Sequence, residues 1–238
     1  MTDAFPTISR RAPRQYARVV ARRLFGQRES ELINEPAPAL SDAQRASVVR
    51  LFALVGEAIA GATHALLAGD RELAKHVVTS DIEIDTIVNE LIEHVERSLM
   101  SIDVPLAGRE ELLTLLRILP EIERNGDLAE HVARRAARGL GSEMSPRSRG
   151  LVERMGEVVA TIWREATDAI VDGNDTAVHK IEEIDDEIDD LHVSLTAELV
   201  SGSMSVPVAV EVAMIARFYE RFGDHCVNLV RRQVSGHA

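Results

Sequence analysis

The chain has a single cysteine, Cys226, in 238 residues, and only 3% of its residues are aromatic. One thiol excludes an intramolecular disulfide and any site built on paired cysteines, and it suits a reducing, cytoplasmic setting. Few rings in a chain that is 45% hydrophobic leave a core of Leu, Ile, Val and Ala, which fits packed helices better than a sandwich of sheets. Long apolar runs are also missing. The stretch from Val206 to Ala216 is interrupted by Glu211, so no segment is expected to span a bilayer, and the start of the chain has no apolar core of a signal peptide. Equally absent are a glycine-rich phosphate loop, a His-Glu zinc spacing and a nucleophile elbow. The sequence carries no sign of an enzyme.

Positive charge is scarce outside one place. The formal net charge is −12, yet residues 1–28 hold seven Arg against one Asp, a balance of +6, so the remainder carries −12 − 6 = −18. A body this acidic repels nucleic acid and attracts cations or a basic partner surface. The basic extension, residues 1–40, contains Pro6, Pro13, Pro36 and Pro38 and reads as loop around one short helix, Arg14 to Phe25. With Arg14, Arg18 and Arg22 in i, i+4 register beside Val19, Val20, Leu24 and Phe25, the segment reads either as a partly disordered basic tail or as a helix that touches a partner or the inner face of the cell membrane.

From Ser41 onward the pattern is helical. Apolar stripes and turn residues predict helices from Ser41 to Ala68, Arg71 to Met100, Arg109 to Leu140, Pro146 to Val171, Asp175 to Leu199 and Val208 to Val234. Pro120, inside the third, should kink it or cost several kcal/mol if the helix stays straight. Long helices joined by short turns lie antiparallel against their neighbours. The fold expected is therefore all-α, two tandem pseudo-symmetric three-helix bundles over residues 41–141 and 142–238.

The tandem reading rests on a repeat. Glu123-Arg124-Asn125-Gly126-Asp127 returns as Glu220-Arg221-Phe222-Gly223-Asp224, and Asp81-Ile82-Glu83-Ile84-Asp85 returns as Asp185-Asp186-Glu187-Ile188-Asp189. The second motif recurs at an offset of 104 and the first at 97, which places seven extra residues in the second loop of the first copy. Each copy thus has two carboxylate pairs at i, i+4, on one helix face. Such pairs repel, and acidic pairs on solvated helices are common. The mid-helix Gly is more telling: it costs about 1 kcal/mol relative to Ala, and its recurrence at the same place points to close helix approach or clearance for a ligand. Asp81, Asp85, Glu123 and Asp127 form one candidate metal set, and Asp185, Asp189, Glu220 and Asp224 the other. All-oxygen donors favour Mg, Ca, Mn or Fe ions, and less selectively Zn or Ni. Glu130 and His131 follow the first motif and His225 follows Asp224 directly, but a lone helical His is more often a surface or packed residue than a ligand, and Cys226 falls on the apolar stripe of the last helix.

These motifs resemble the PhoU family of phosphate-uptake regulators, over roughly Gln44 to Val234. Asn125 departs from the pattern by placing a polar group on the core stripe. The resemblance implies two similar three-helix bundles that bind metal ions through the acidic motifs. It also implies a cytoplasmic, homodimeric adaptor between the ATPase subunit of a phosphate ABC transporter and a sensor histidine kinase, holding the phosphate-starvation response off when phosphate is plentiful. Two readings remain beside it: an accessory subunit of another phosphate or ion transporter, docked through residues 14–25, and a metal-storing or metal-oxidising bundle, against which the absence of a Glu-x-x-His motif weighs.

Overall fold

A computed structural model describes residues 39–234 apart from Ile102, Asp103, Gly173, Asp175 and Ser203. The predicted helix at Arg14 to Phe25 lies outside the described residues. Among the described residues six α-helices follow one another: α1 (Asp42–Ala68), α2 (Arg71–Leu99), α3 (Leu106–Ala137), α4 (Pro146–Asp172), α5 (Ala177–Val200) and α6 (Val206–Val234), with a 3-10 turn at Leu140–Ser142 between α3 and α4.

Local chemistry sets the ends. Ser41 and Gln44 form a reciprocal capping box at the start of α1, and Asp70 accepts from the backbone N–H groups of Glu72 and Leu73 at the start of α2, so orphan donors at both helix starts are satisfied. Gly69 ends α1 in the left-handed region at φ 70°, where a side chain would be strained. Pro146 opens α4 and Pro207 lies in the first turn of α6, where a missing N–H costs nothing. The third helix starts three residues before the expected Arg109 and stops at Ala137, because Pro105 precedes it and Gly139 turns left-handed at φ 91°. It continues through Pro120 without a break in its span.

The seven extra residues of the first copy are not in its loop. Helix α2 runs 14 residues past Asp85 while α5 runs 11 past Asp189, and α3 begins 17 residues before Glu123 while α6 begins 14 before Glu220. Only the one residue left over lengthens the connection. Adding nearly a turn to each of two paired helices, about 4.5 Å at 1.5 Å per residue, extends both contact faces together.

Helices α1–α3 pack on one another, as do α4–α6, and the two groups meet through α1 against α4 and α3 against α6. By length and composition α1 is apolar enough to cross a membrane, contrary to the sequence expectation. Its apolar residues are core instead: Leu51, Val55, Ile59, Ala62, Ala65 and Leu66 are all buried. One hydrophobic cluster runs through both bundles. At its centre Trp163 packs between Phe52 and Phe222, each with ring centroids 5.6 Å away, and its indole N–H donates to the Phe52 carbonyl at 3.0 Å. The Tyr219 hydroxyl meets that of Thr63 at 2.8 Å. At the junction between the bundles, Gly141 passes so close to the Leu66 carbonyl that a Cβ there would sit 1.8 Å from the oxygen.

Candidate metal centre

Helices α2 and α3 present the first acidic motifs to each other, and α5 and α6 present the second. All eight candidate carboxylates fall into two groups of four, as the repeat predicts. In the first, ligating atoms of Asp81, Asp85 and Asp127 lie within 4.8 Å of one another. Among the described residues the second group brings no three donors so close. The first group gathers on a helix that carries both Pro120 and Asn125.

The glycine of each motif makes this approach possible. A Cβ on Gly126 would stand 3.2 Å from Ile84 and 3.3 Å from Asp81 Oδ1; on Gly223 it would stand 2.2 Å from Asp185 Oδ1 and 2.8 Å from Ile188 Cδ1. The two glycines occupy the same relation to the two aspartates, so the first Asp of each α2-type motif lies over a bare patch of backbone on the facing helix. Close approach, one of the two reasons given for a mid-helix glycine, is what the packing realises.

That position is electrostatically unfavourable without a cation. Asp81 is pushed up from 3.8 to about 7, first by burial and then by Asp85, Asp127, Glu130 and Glu123. Asp185 is likewise pushed up to about 7, first by burial and then by Asp224, Asp189, Glu220 and Asp186. Burial also raises Glu123, Asp127 and Glu220, with Arg124, His131 and Arg217 respectively pulling the other way. Asp81 Oδ1 and Glu220 Oε2 are buried with no hydrogen-bond partner. A buried acceptor left unpaired is costly, and a cation is the species that satisfies carboxylate oxygens and relieves like-charge repulsion together. The donor set and the unpartnered oxygens therefore fit a hard or borderline metal ion, held by Asp81, Asp85, Glu123 and Asp127 in one group and by Asp185, Asp189, Glu220 and Asp224 in the other.

Sequence reasoning missed part of the surroundings. Glu130, noted in the sequence only as a neighbour of the first motif, is buried and close enough to Asp81 and Asp127 to raise both. His192 lies near enough to Glu220 to favour its charged form, and only its place three residues after Asp189 could have signalled it. Glu121 was overlooked altogether. It is buried between α3 and α6, where it accepts from His225 Nδ1 at 2.7 Å, Arg124 Nη1 at 2.8 Å and Arg232 Nη2 at 2.9 Å. Asn125, the polar residue on the core stripe, is also buried there, and its amide donates to Cys226 Sγ at 3.6 Å.

Residues 48–136 and 152–233 each match the PhoU domain family. The chain is 32% identical over 185 residues to "Phosphate-specific transport system accessory protein PhoU homolog 2" of Mycobacterium tuberculosis, covering 76% of this chain and 86% of that protein. It is also 32% identical to "PhoU homolog 1" of Mycobacterium leprae, covering 76% and 83%. Among solved structures it is similar to PhoU from Pseudomonas aeruginosa, with a TM-score of 0.75, 25% identity, and 82% of this chain and 96% of that one covered. The phosphate transport system regulatory protein PhoU from Streptococcus pneumoniae shares the fold, with a TM-score of 0.73 at 20% identity over 82% of this chain and 94% of that one. With two domain matches in tandem and these relatives, the chain belongs to the PhoU family.

Proposed function

We propose that this chain is a cytoplasmic, non-enzymatic regulator of phosphate uptake that acts as a metal-binding adaptor. It contacts the ATPase subunit of a phosphate ABC transporter and a sensor histidine kinase, works as a homodimer, and restrains uptake and the starvation response when phosphate is plentiful. The family and the relatives named as transport accessory proteins support the link to phosphate transport. The observation that carries the metal reading is the gathering of four carboxylates per bundle, with buried unpartnered oxygens on Asp81 and Glu220. A bound cation supplies positive charge where the chain has concentrated negative charge, and so ties α2 to α3 and α5 to α6. Two rigid, separately tied helix pairs on one shared core give a scaffold on which partners can dock.

The adaptor role is tested by affinity purification of the tagged protein from phosphate-replete and phosphate-starved cells, with mass spectrometry of what accompanies it. A phosphate-transporter ATPase and a sensor kinase are expected, in amounts that change with phosphate. Recovery of neither under either condition contradicts the adaptor role and leaves the metal reading standing.

A further inference from the structure

The repeated motif contains an arginine as well as acids, and a guanidinium, which only donates, is no ligand for a metal ion. Arg124 and Arg221 are the equivalent residues of the two copies, and both are exposed. Helices α3 and α6 cross this part of the molecule side by side and antiparallel. Glu121 reaches His225 and Arg232 at one end of their seam, and at the other Phe218 stacks on His131, with Arg135 paired to Glu211 at 2.8 Å.

The outward ridge of α3 carries Leu113, Arg117 and Arg124 at helical spacing, and that of α6 carries Val210, Met214 and Arg221, all exposed. Because the helices are antiparallel, the arginines lie toward the middle and the apolar residues toward opposite ends. Arg232 joins the central group, and its guanidinium also reaches the Arg117 carbonyl at 3.5 Å. Beneath it, one carboxylate, with its side chain 1% exposed, orients two guanidinium groups and an imidazole. A single negative charge faces two permanent positive ones. Arg117 and Arg221 have no hydrogen bond or ion pair through their side chains among the described residues. On a body carrying −18 outside residues 1–28, this is an island of the opposite sign.

We propose that the α3–α6 ridge is a docking surface for an acidic, amphipathic polypeptide segment of a partner protein. The segment's carboxylates would pair with Arg117, Arg124, Arg221 and Arg232, and its apolar side chains would cover Leu113, Val210 and Met214. Pairing two copies of this chain ridge to ridge would set guanidinium groups against guanidinium groups, so charge complementarity favours an acidic partner segment over that self-association, and a raised ridge of spread guanidinium groups suits a polypeptide better than a small anion, which needs a concave site. The surface is defined without any metal ion and is independent of which protein supplies the segment.

The test uses the full chain and a fluorescein-labelled helical peptide of alternating Glu and Leu turns, read by fluorescence polarisation. Since Arg117 and Arg221 support no described contact, R117A/R221A keeps the fold, which a thermal melt verifies. This variant is expected to bind the peptide about tenfold more weakly and with a shallower salt dependence, while replacing Arg14, Arg18, Arg22 and Arg23 by Ser leaves that difference in place. Equal binding by parent and R117A/R221A, or no binding by the parent, overturns the proposal. So does a loss confined to the N-terminal variant, to binding of phosphatidylglycerol vesicles, or to self-association in the ultracentrifuge.

Discussion

Gly223→Ala is expected to weaken metal binding at the second carboxylate group by at least about tenfold, because ligand orientation is held by its immediate surroundings. The added Cβ would meet Asp185 Oδ1 at 2.2 Å and Ile188 Cδ1 at 2.8 Å, well inside ordinary contact. Both are side-chain ends, so the cheapest relief is for Asp185 to swing off the facing helix and for Ile188 to shift, which moves the carboxylate out of its group. The fold survives, since the strain of about 1–3 kcal/mol is partly offset by the helix propensity of Ala over Gly, about 1 kcal/mol. Gly126→Ala offers the contrast. Its Cβ would stand 3.2–3.3 Å from Ile84 and Asp81, a crowding relieved by a few tenths of an ångström, and its effect on the first group is expected to stay below about threefold. Isothermal titration with Mn, each variant carried in a background where the other group is neutralised, measures both. Equal losses at the two positions contradict the role assigned to the glycines.

The metal-free protein is expected to lose stability as pH rises from about 4 to about 7. In that window Asp81 and Asp185, raised from 3.8 to about 7 chiefly by burial, keep their protons in the native state and release them on unfolding. The native state binds more protons, so the free energy of unfolding falls with pH, the reverse of the usual acid denaturation. The contribution is present at low pH and is lost as pH passes the native value. Both groups are half-buried, so solvent screening reduces the effect to about 1–2 kcal/mol for each aspartate. The difference between the parent and D81N/D185N in urea unfolding isolates it from the other carboxylates, and that difference should grow from pH 4 to pH 7.5 as the parent weakens. A metal ion requires the deprotonated form, so saturating Mn should stabilise the protein most above pH 7. A parent-to-variant difference that is flat with pH contradicts the assignment.

The helices and both carboxylate groups were legible in the sequence because each depends on spacing along one element. A 3.6-residue stripe, a Ser41 cap or an i, i+4 acidic pair needs no knowledge of what lies opposite. The recurrence of Gly126 and Gly223 added the one long-range hint, that something on the neighbouring helix comes close, and Asp81 and Asp185 are what come close. Loop length was misjudged for a related reason. An offset between repeats says that residues were added, and only the paired register of α2 with α3 shows that they extend two helices. The α3–α6 seam was invisible. Glu121 meets residues more than a hundred positions away, and its neighbours in sequence, Pro120 and Ile122, give no sign that a carboxylate is to be buried among arginines. The expectation that no segment is apolar enough to span a bilayer overlooked α1, since a helix packed against α2, α3 and α4 is apolar over so wide a face that it passes that test by length and composition.

The central claim is that the two carboxylate groups are separate metal sites, and metal content per chain tests it most directly. The parent, a first-group variant (D81N/D85N/E123Q/D127N), a second-group variant (D185N/D189N/E220Q/D224N) and the combination of both would be dialysed against the same Mn or Fe solution and analysed by inductively coupled plasma mass spectrometry. Each single-group variant is expected to lose its own share of the metal, and the combined variant to lose all of it. Metal content in the combined variant equal to that of the parent would contradict the account.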